Sequence, residues 1–329
     1  MNFMEFNIAA VIPAYGVERD IQSVLGGLPA YIKHIIVVND ASPDSSGERM
    51  AAAAKEDRRI ILITHNQNQG VGGAMASGYR KALELGAQII IKLDGDGQMD
   101  PAHIPAFLTP LIQGRADYVK GNRFRDFQSL QQMPIVRRVG NLGLSFLAKA
   151  ATGYWGIFDP TNGYLAIRAE ILSQLPLDKI DRRYYFETSM LANLYLLDAL
   201  VMDVPIPARY RNETSNLSIR RTLIEFPLKL LTTFLKRILL KYYIYDFSMM
   251  SLYLMVGIPL LLFGGIFGIT KWIEYASQNI PAPTGTVMLP TLSVILGIQI
   301  LLSAIEIDMN SAPRKPISEP LEKQASKNF

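Results

Sequence analysis

The sequence predicts an α/β domain built on a mostly parallel, Rossmann-like sheet, followed by an amphipathic juxtamembrane stretch and two membrane-spanning helices. Two features of the 329 residues predict this. Short β-branched runs alternate with segments of helical spacing through the first part of the chain, the pattern of βαβ units. Beyond about residue 219 the apolar content concentrates, and Phe247–Thr270 contains no charged residue.

The β-branched runs are Ile8–Pro13, Ile35–Asn39, Ile60–Thr64, Ile89–Leu93 and Tyr118–Gly121, with helical segments at Asp20–Leu28, Val71–Leu85 and Ile104–Ile112. Parallel sheets bind ligands at the carboxyl ends of their strands. Polar residues follow those ends here: Asn39-Asp40, His65-Asn66 and Asp94–Asp96. No internal repeat is present.

From Ile219 to Lys241 the chain is basic and amphipathic. Leu223, Phe226, Leu230, Phe234 and Ile238 recur at helical spacing, and Arg220, Arg221, Lys229, Lys236, Arg237 and Lys241 supply charge. Such a helix suits a membrane interface, with its cations near anionic headgroups. The competing reading is a helix packed on the core with a solvated basic face. The uncharged stretch that follows favours the interface, because Phe247–Thr270 as a helix spans ~36 Å, enough for a hydrocarbon core of ~30 Å. Val287–Ile305 is a second uncharged stretch. Basic residues lie before the first span and return at Arg314 and Lys315, whereas the connection has only Lys271. The positive-inside rule then puts the first domain and the tail in the cytoplasm, at the inner membrane. Gly264 and Gly268 form a small-xxx-small pair suited to close helix contact, so a homo-oligomer through the spans enters the expectations. The expected organisation is a catalytic domain over 1–211, amphipathic helices over 212–245, two spans over 246–310 and a disordered tail over 311–329.

Composition narrows the chemistry. There is no cysteine, which excludes disulfides, thiolate nucleophiles and Cys-ligated metals. The histidines are His34, His65 and His103, without metal-ligand spacing. A net charge of +4 does not by itself decide between nucleic acid and membrane. The basic residues cluster beside the apolar spans, so a membrane is expected and nucleic acid is not.

Ile91-Lys92-Leu93-Asp94-Gly95-Asp96-Gly97-Gln98 is the most informative stretch. An apolar run ending in Asp-x-Asp sets two carboxylates at a strand exit, where hard oxygen ligands suit Mg²⁺ or Mn²⁺ bridging to a diphosphate. Asp-x-Asp alone is weak, since turns are rich in aspartate. Gly70, Gly72 and Gly73 open a helix after a strand but lack the G-x-G-x-x-G spacing of dinucleotide loops.

With these residues in view, the chain from Ala10 to about Arg211 resembles the polyprenyl-phosphate glycosyltransferases of the GT-A fold, which include the dolichyl-phosphate mannose synthases. The later segments resemble the two-span bacterial members. Val11-Ile12-Pro13-Ala14-Tyr15 is similar to that family's opening strand. The usual Asn-Glu-Glu is here Gly16-Val17-Glu18, so Glu18 alone carries over. The resemblance assigns Pro13, Tyr15, Glu18, Asp40, Asn68, Gly70, Asp94 and Arg211 to the nucleotide-sugar donor, with Asp40 reading the base. It assigns Asp94, Asp96 and Gln98 to Mg²⁺ or Mn²⁺. Arg123, in Lys120-Gly121-Asn122-Arg123, inherits a phosphate contact, and Arg137 or Arg138 the acceptor phosphate. Asp159, in Asp159-Pro160-Thr161-Asn162-Gly163, is placed near the reacting atoms, so Asp96, Arg123 and Asp159 form the catalytic set. Glu187 is a further acidic candidate. After Arg211 the family's Gly-x-Ser-Lys is replaced by Thr214-Ser215-Asn216-Leu217.

The implied activity is metal-dependent, inverting transfer of a hexose from a nucleotide sugar, UDP-glucose first, to undecaprenyl or another polyprenyl phosphate at the cytoplasmic face. Other readings stay open: a GDP-mannose or UDP-N-acetylglucosamine donor, a different family 2 acceptor, or a non-catalytic membrane scaffold.

Overall fold

A computed structural model describes residues 1–123, 135–207 and 219–321, with the side chains of 135–139, 141 and 219–224 outside the description. The chain forms two compact units, Met1–Phe234 with Pro313 onward, and Leu235–Ala312.

The first unit holds seven strands: β1 (Ile8–Ala14), β2 (His34–Asn39), β3 (Ile60–Thr64), β4 (Ile89–Lys92), β5 (Tyr118–Asn122), β6 (Leu165–Arg168) and β7 (Val201–Pro205). Their order is β3-β2-β1-β4-β6-β5-β7. β6 runs antiparallel to β4 and β5, and every other pairing is parallel. The helices are α1 (Ile21–Gly26), α2 (Ser46–Glu56), α3 (Val71–Glu84), α4 (Ile104–Ile112), α5 (Ile135–Thr152), α6 (Phe186–Leu196) and α7 (Ile219–Leu239). All five expected strands are present. The additions include β6 and β7, short strands whose apolar runs are ended by Arg168 and broken by Asp203, the alanine-rich α2, and α6.

The strands read as continuous apolar runs because helices cover both faces of the sheet. Ile8, Ala10, Ile12, Ile89 and Ile91 enter one core, while Ala9, Val11, Ile36, Val38 and Ile90 enter the other. β1 and β2 end in register, Ala14 beside Asn39, while β4 ends at Lys92 beside Val11, and the loops after these strands carry the polar residues that the sequence singles out.

One face of α7 departs from its expected role. Phe226, Leu230 and Phe234 pack with Leu144, Ala148, Ala151 and Tyr185, and Lys229 Nζ lies 2.5 Å from Asp181 Oδ2. The periodic stripe read as facing lipid is thus a packing face of the first unit. Leu228, Leu231, Leu235 and Leu239, outside that periodicity, are exposed.

The tail also departs from expectation. Asp117 is fully buried, and its carboxylate accepts backbone N–H groups of Leu200 (2.8 Å), Ile317 (2.9 Å) and Ser318 (2.9 Å). Leu321 is buried in the core beside α4 and the sheet. Disorder from 311 onward therefore does not hold through 321: the Pro/Lys-rich composition hides a backbone anchored by one carboxylate and one leucine.

In the second unit, α8 (Met249–Gln278) and α9 (Thr284–Asn310) form an antiparallel hairpin, both long and apolar enough to cross a membrane. Gly257, Gly264 and Gly297 sit at the contact, where an added Cβ would lie 2.9–3.0 Å from the opposing helix. Gly264 thus serves packing within the hairpin. Arg237 forms a bidentate pair with Asp308 at 2.6 and 2.9 Å, joined by the Tyr242 hydroxyl donating to Asp308 Oδ1 at 2.6 Å. Arg237 is 1% exposed, so it does not serve as the headgroup-facing cation that its spacing suggests.

Candidate active site

A cavity of about 830 Å³ opens at the carboxyl ends of β1, β2 and β4. It is lined by Pro13, Tyr15, Asp40, Asn68, Gly70, Asp94, Asp96, Gln98 and Arg123, and also by Lys92, Asp100, His103, Asn162, Gly163, Arg183 and Glu187. Most of the residues singled out in the sequence meet here. Glu18 does not line it: its Oε2 accepts the Ser45 N–H at 3.2 Å, at the start of α2. Arg211 lies outside the described residues, as do the side chains of Arg137 and Arg138.

Asp40 closes the floor near β2. Its Oδ1 is 2.7 Å from His65 Nδ1 and accepts the Gln69 N–H at 2.9 Å, while Oδ2 accepts the Gly70 N–H at 2.8 Å. Asp40 therefore shapes the Gly-rich loop as well as facing the cavity. The glycines of that loop answer a packing need. Gly70 has φ of +83°, and side chains at Gly70 or Gly72 would collide with the backbone of Asp181–Arg182. The Gly72 and Gly73 amides donate to the Arg182 carbonyl at 2.9 and 3.3 Å. These first amides of α3 are thus occupied by protein, unlike those of a dinucleotide loop.

On the loop after β4, Asp96 Oδ1 accepts the Gln98 N–H at 3.0 Å, which fixes the turn. Asp94 Oδ1 receives the Lys92 ammonium at 2.7 Å. Among the described residues no three His, Asp or Glu side chains form a closed ligand cluster. Two carboxylates and an amide on one half-buried loop instead fit a hard divalent ion, which would find its remaining oxygen ligands outside the protein.

Lys92 is 1% exposed, and its Nζ also donates to the Gly163 carbonyl at 3.1 Å and lies 3.5 Å from Glu187 Oε1. Burial alone would lower its pKa, but the carboxylates of Asp94 and Glu187 outweigh burial and raise it. Lys120, also fully buried, donates to the Asn162 carbonyl, and burial brings its pKa down to about 8 despite Asp159, Glu187 and Asp203 nearby.

Asp159 is fully buried. Its carboxylate accepts Arg123 Nε at 2.8 Å, Arg123 Nη2 at 3.2 Å and Asn162 Nδ2 at 3.2 Å. Burial would raise its pKa, but the Arg123 guanidinium overcomes this and holds it below the usual carboxylate range. Arg123 is thus an anchored cation at the cavity wall. The sequence reading missed Lys92 and Lys120. A signal was available for Lys92, which lies between three isoleucines and Leu93, and a weaker one for Lys120, which follows Tyr118-Val119.

A mostly parallel sheet with an Asp-x-Asp turn and a basic wall around one cavity defines a GT-A sugar-transfer domain. Residues 9–175 match the model of glycosyl transferase family 2. The UDP-N-acetylglucosamine–dolichyl-phosphate N-acetylglucosaminyltransferase of Methanococcus voltae is 35% identical over 190 residues, covering 54% of this chain and 75% of that protein. The undecaprenyl-phosphate mannosyltransferase of Micrococcus luteus is 29% identical over 202 residues, covering 60% and 82%. Glucosyl-3-phosphoglycerate synthase from Mycobacterium tuberculosis, crystallised with Mn²⁺, UDP-glucose and phosphoglyceric acid, shares the fold at a TM-score of 0.52 and 20% identity, covering 70% of this chain and 79% of that one. The chain belongs to glycosyltransferase family 2, and it is a glycosyltransferase.

Proposed function

We propose that the protein transfers a hexose from a nucleoside diphosphate sugar to a polyprenyl phosphate at the cytoplasmic face of the inner membrane, with inversion. The observation that carries this reading is one cavity holding both a carboxylate loop suited to a metal-bound diphosphate and an anchored arginine suited to a second phosphate. The two relatives act, by name, on dolichyl phosphate and undecaprenyl phosphate. The two long apolar helices fit an acceptor embedded in lipid.

The chemistry needs no strong base. An acceptor phosphate monoester is largely dianionic at pH 7, its second pKa lying near ~6, so its oxygen is already nucleophilic. Asp94, Asp96 and Gln98 would hold Mg²⁺ or Mn²⁺, which supplies Lewis-acid stabilisation of the charge on the leaving diphosphate. The Mn²⁺ bound by the structural neighbour supports this choice. Arg123, steadied by Asp159, orients the acceptor phosphate in line with the anomeric carbon. A single displacement inverts that carbon. Asp40, Asn68 and Tyr15 are assigned to the nucleoside end, and Arg211 to the diphosphate.

The deciding experiment presents full-length protein in membranes with undecaprenyl phosphate and radiolabelled UDP-glucose, UDP-N-acetylglucosamine or GDP-mannose. One donor should label the extracted lipid, UDP-glucose being the first choice. Label released only as free sugar would refute the lipid acceptor. The topology is tested separately. A tag in the connection Asn279–Pro283 should face the periplasm and tags at Met1 and Phe329 the cytoplasm. The docking of 313–321 onto the first unit supports a chain that returns to its starting side. A C-terminal tag reached from outside intact cells would overturn it.

A further inference from the structure

We propose that Lys92 is a positioning residue for transfer: its buried ammonium ties the Asp94 loop, the Gly163 loop and Glu187 of α6 into one array, fixing the spacing between the loops that flank the donor. The proposal rests on the reading of this cavity as the donor site.

The argument begins with the strand. β4 is Ile89-Ile90-Ile91-Lys92, and all four residues are buried. A lysine almost never occupies such a position unless paired. A buried ion array is a poor source of stability, since apolar residues of similar volume commonly do as well or better. Retaining one at the exit of the central strand therefore calls for a use beyond folding. The geometry supplies it. Nζ donates to Asp94 Oδ1 at 2.7 Å and to the Gly163 carbonyl at 3.1 Å, and pairs with Glu187 Oε1 at 3.5 Å, groups from three separate parts of the chain.

Two of those parts carry the proposed chemistry. Asp94 begins the Asp-x-Asp loop, and Gly163 ends the loop that opens with Asp159. The fit is close: a Cβ added to Gly163 would lie 2.5 Å from Lys92 Nζ and 3.0 Å from Asp94 Oδ2. The glycine of the Asp159–Gly163 turn thus makes room for the ammonium beneath it. Displacing that ammonium would move the two loops relative to each other, and misplacement by about 1 Å costs on the order of a hundredfold in rate.

The test uses purified full-length protein with whichever nucleotide sugar is active, measuring kcat, donor KM, thermal midpoint, and calorimetric binding of UDP with Mn²⁺. Lys92→Met removes the ammonium and Gly163→Ala pushes on it. Each should lower kcat by about a hundredfold, with donor KM and UDP–Mn²⁺ binding changed less than about threefold. Lys92→Met also strands the buried Glu187 carboxylate, so its midpoint should fall while the protein stays folded at the assay temperature. Because Met lacks the Nζ atom, Gly163→Ala should be nearly neutral for kcat in the Lys92→Met background. Two results would overturn the proposal: near-normal kcat in folded Lys92→Met, or fully additive losses in the double variant. A wild type that consumes no nucleotide sugar would instead sink the reading of the site itself.

Discussion

Replacing Asp96 with alanine is expected to lower transfer by at least about a thousandfold, ~4 kcal/mol of transition-state stabilisation. It should also remove the heat of UDP–Mn²⁺ binding. Asp96 has two separable duties. Its Oδ1 fixes the turn through the Gln98 N–H at 3.0 Å, and its negative charge is assigned to the divalent ion. Asp96→Asn keeps an oxygen for the turn but not the charge, so it should be nearly as inactive as alanine. If asparagine restores most of the rate, the turn matters and the charge does not. Both variants should melt close to wild type, because the loop contributes little to either core. Near-normal turnover of Asp96→Ala in EDTA would refute the metal assignment.

Arg123→Ala should cut turnover on the lipid acceptor by about a hundredfold, ~2.7 kcal/mol, while donor binding by calorimetry stays nearly unchanged. Slow hydrolysis of the donor should persist, because it needs no acceptor phosphate. The ion pair adds a second consequence. Alanine strands the fully buried Asp159 carboxylate, a change that costs about 3–5 kcal/mol when a buried pair loses one partner. The thermal midpoint should therefore fall as well. Its pH dependence identifies the cause. Arg123 holds the folded-state pKa of Asp159 below the unfolded value, which is ~3.9. That stabilisation is complete above the unfolded pKa and disappears as pH falls through the folded one. The stability gap between wild type and Arg123→Ala should accordingly be widest near neutrality and narrow in acid. Arg123→Lys should recover only part of the activity, since an ammonium cannot reproduce the bidentate fork. Collapse of donor binding instead would assign Arg123 to the diphosphate and move the acceptor phosphate toward Arg137 and Arg138.

What the sequence made legible follows from local physics. Five strands announced themselves because a sheet covered on both faces needs unbroken apolar runs, and the Asp-x-Asp turn stood out because it ends one of them. The misreadings share a different origin. Phe226, Leu230 and Phe234 make an apolar stripe whether their partner is lipid or protein, and periodicity cannot name the partner. Arg237 looks like a solvated cation until its distant partner, Asp308, is known. Asp117 gives no local sign that it anchors a segment two hundred residues downstream. The resemblance to relatives nominated Asp159 and Arg123, but that they are each other's partners emerged only with the fold.

The anchoring of 313–321 on Asp117 bears on how the protein is made. The sheet and its helices are synthesised first, then the hairpin, and only then the segment that fills the remaining positions around Asp117 and Leu321. The catalytic unit is discontinuous in sequence, so its core closes only after both apolar helices have left the ribosome. Until that moment a buried carboxylate lacks two of its three backbone donors, and a chain that stalls within the hairpin carries an unfinished enzyme. Closure of this unit therefore follows synthesis of the hairpin rather than preceding it.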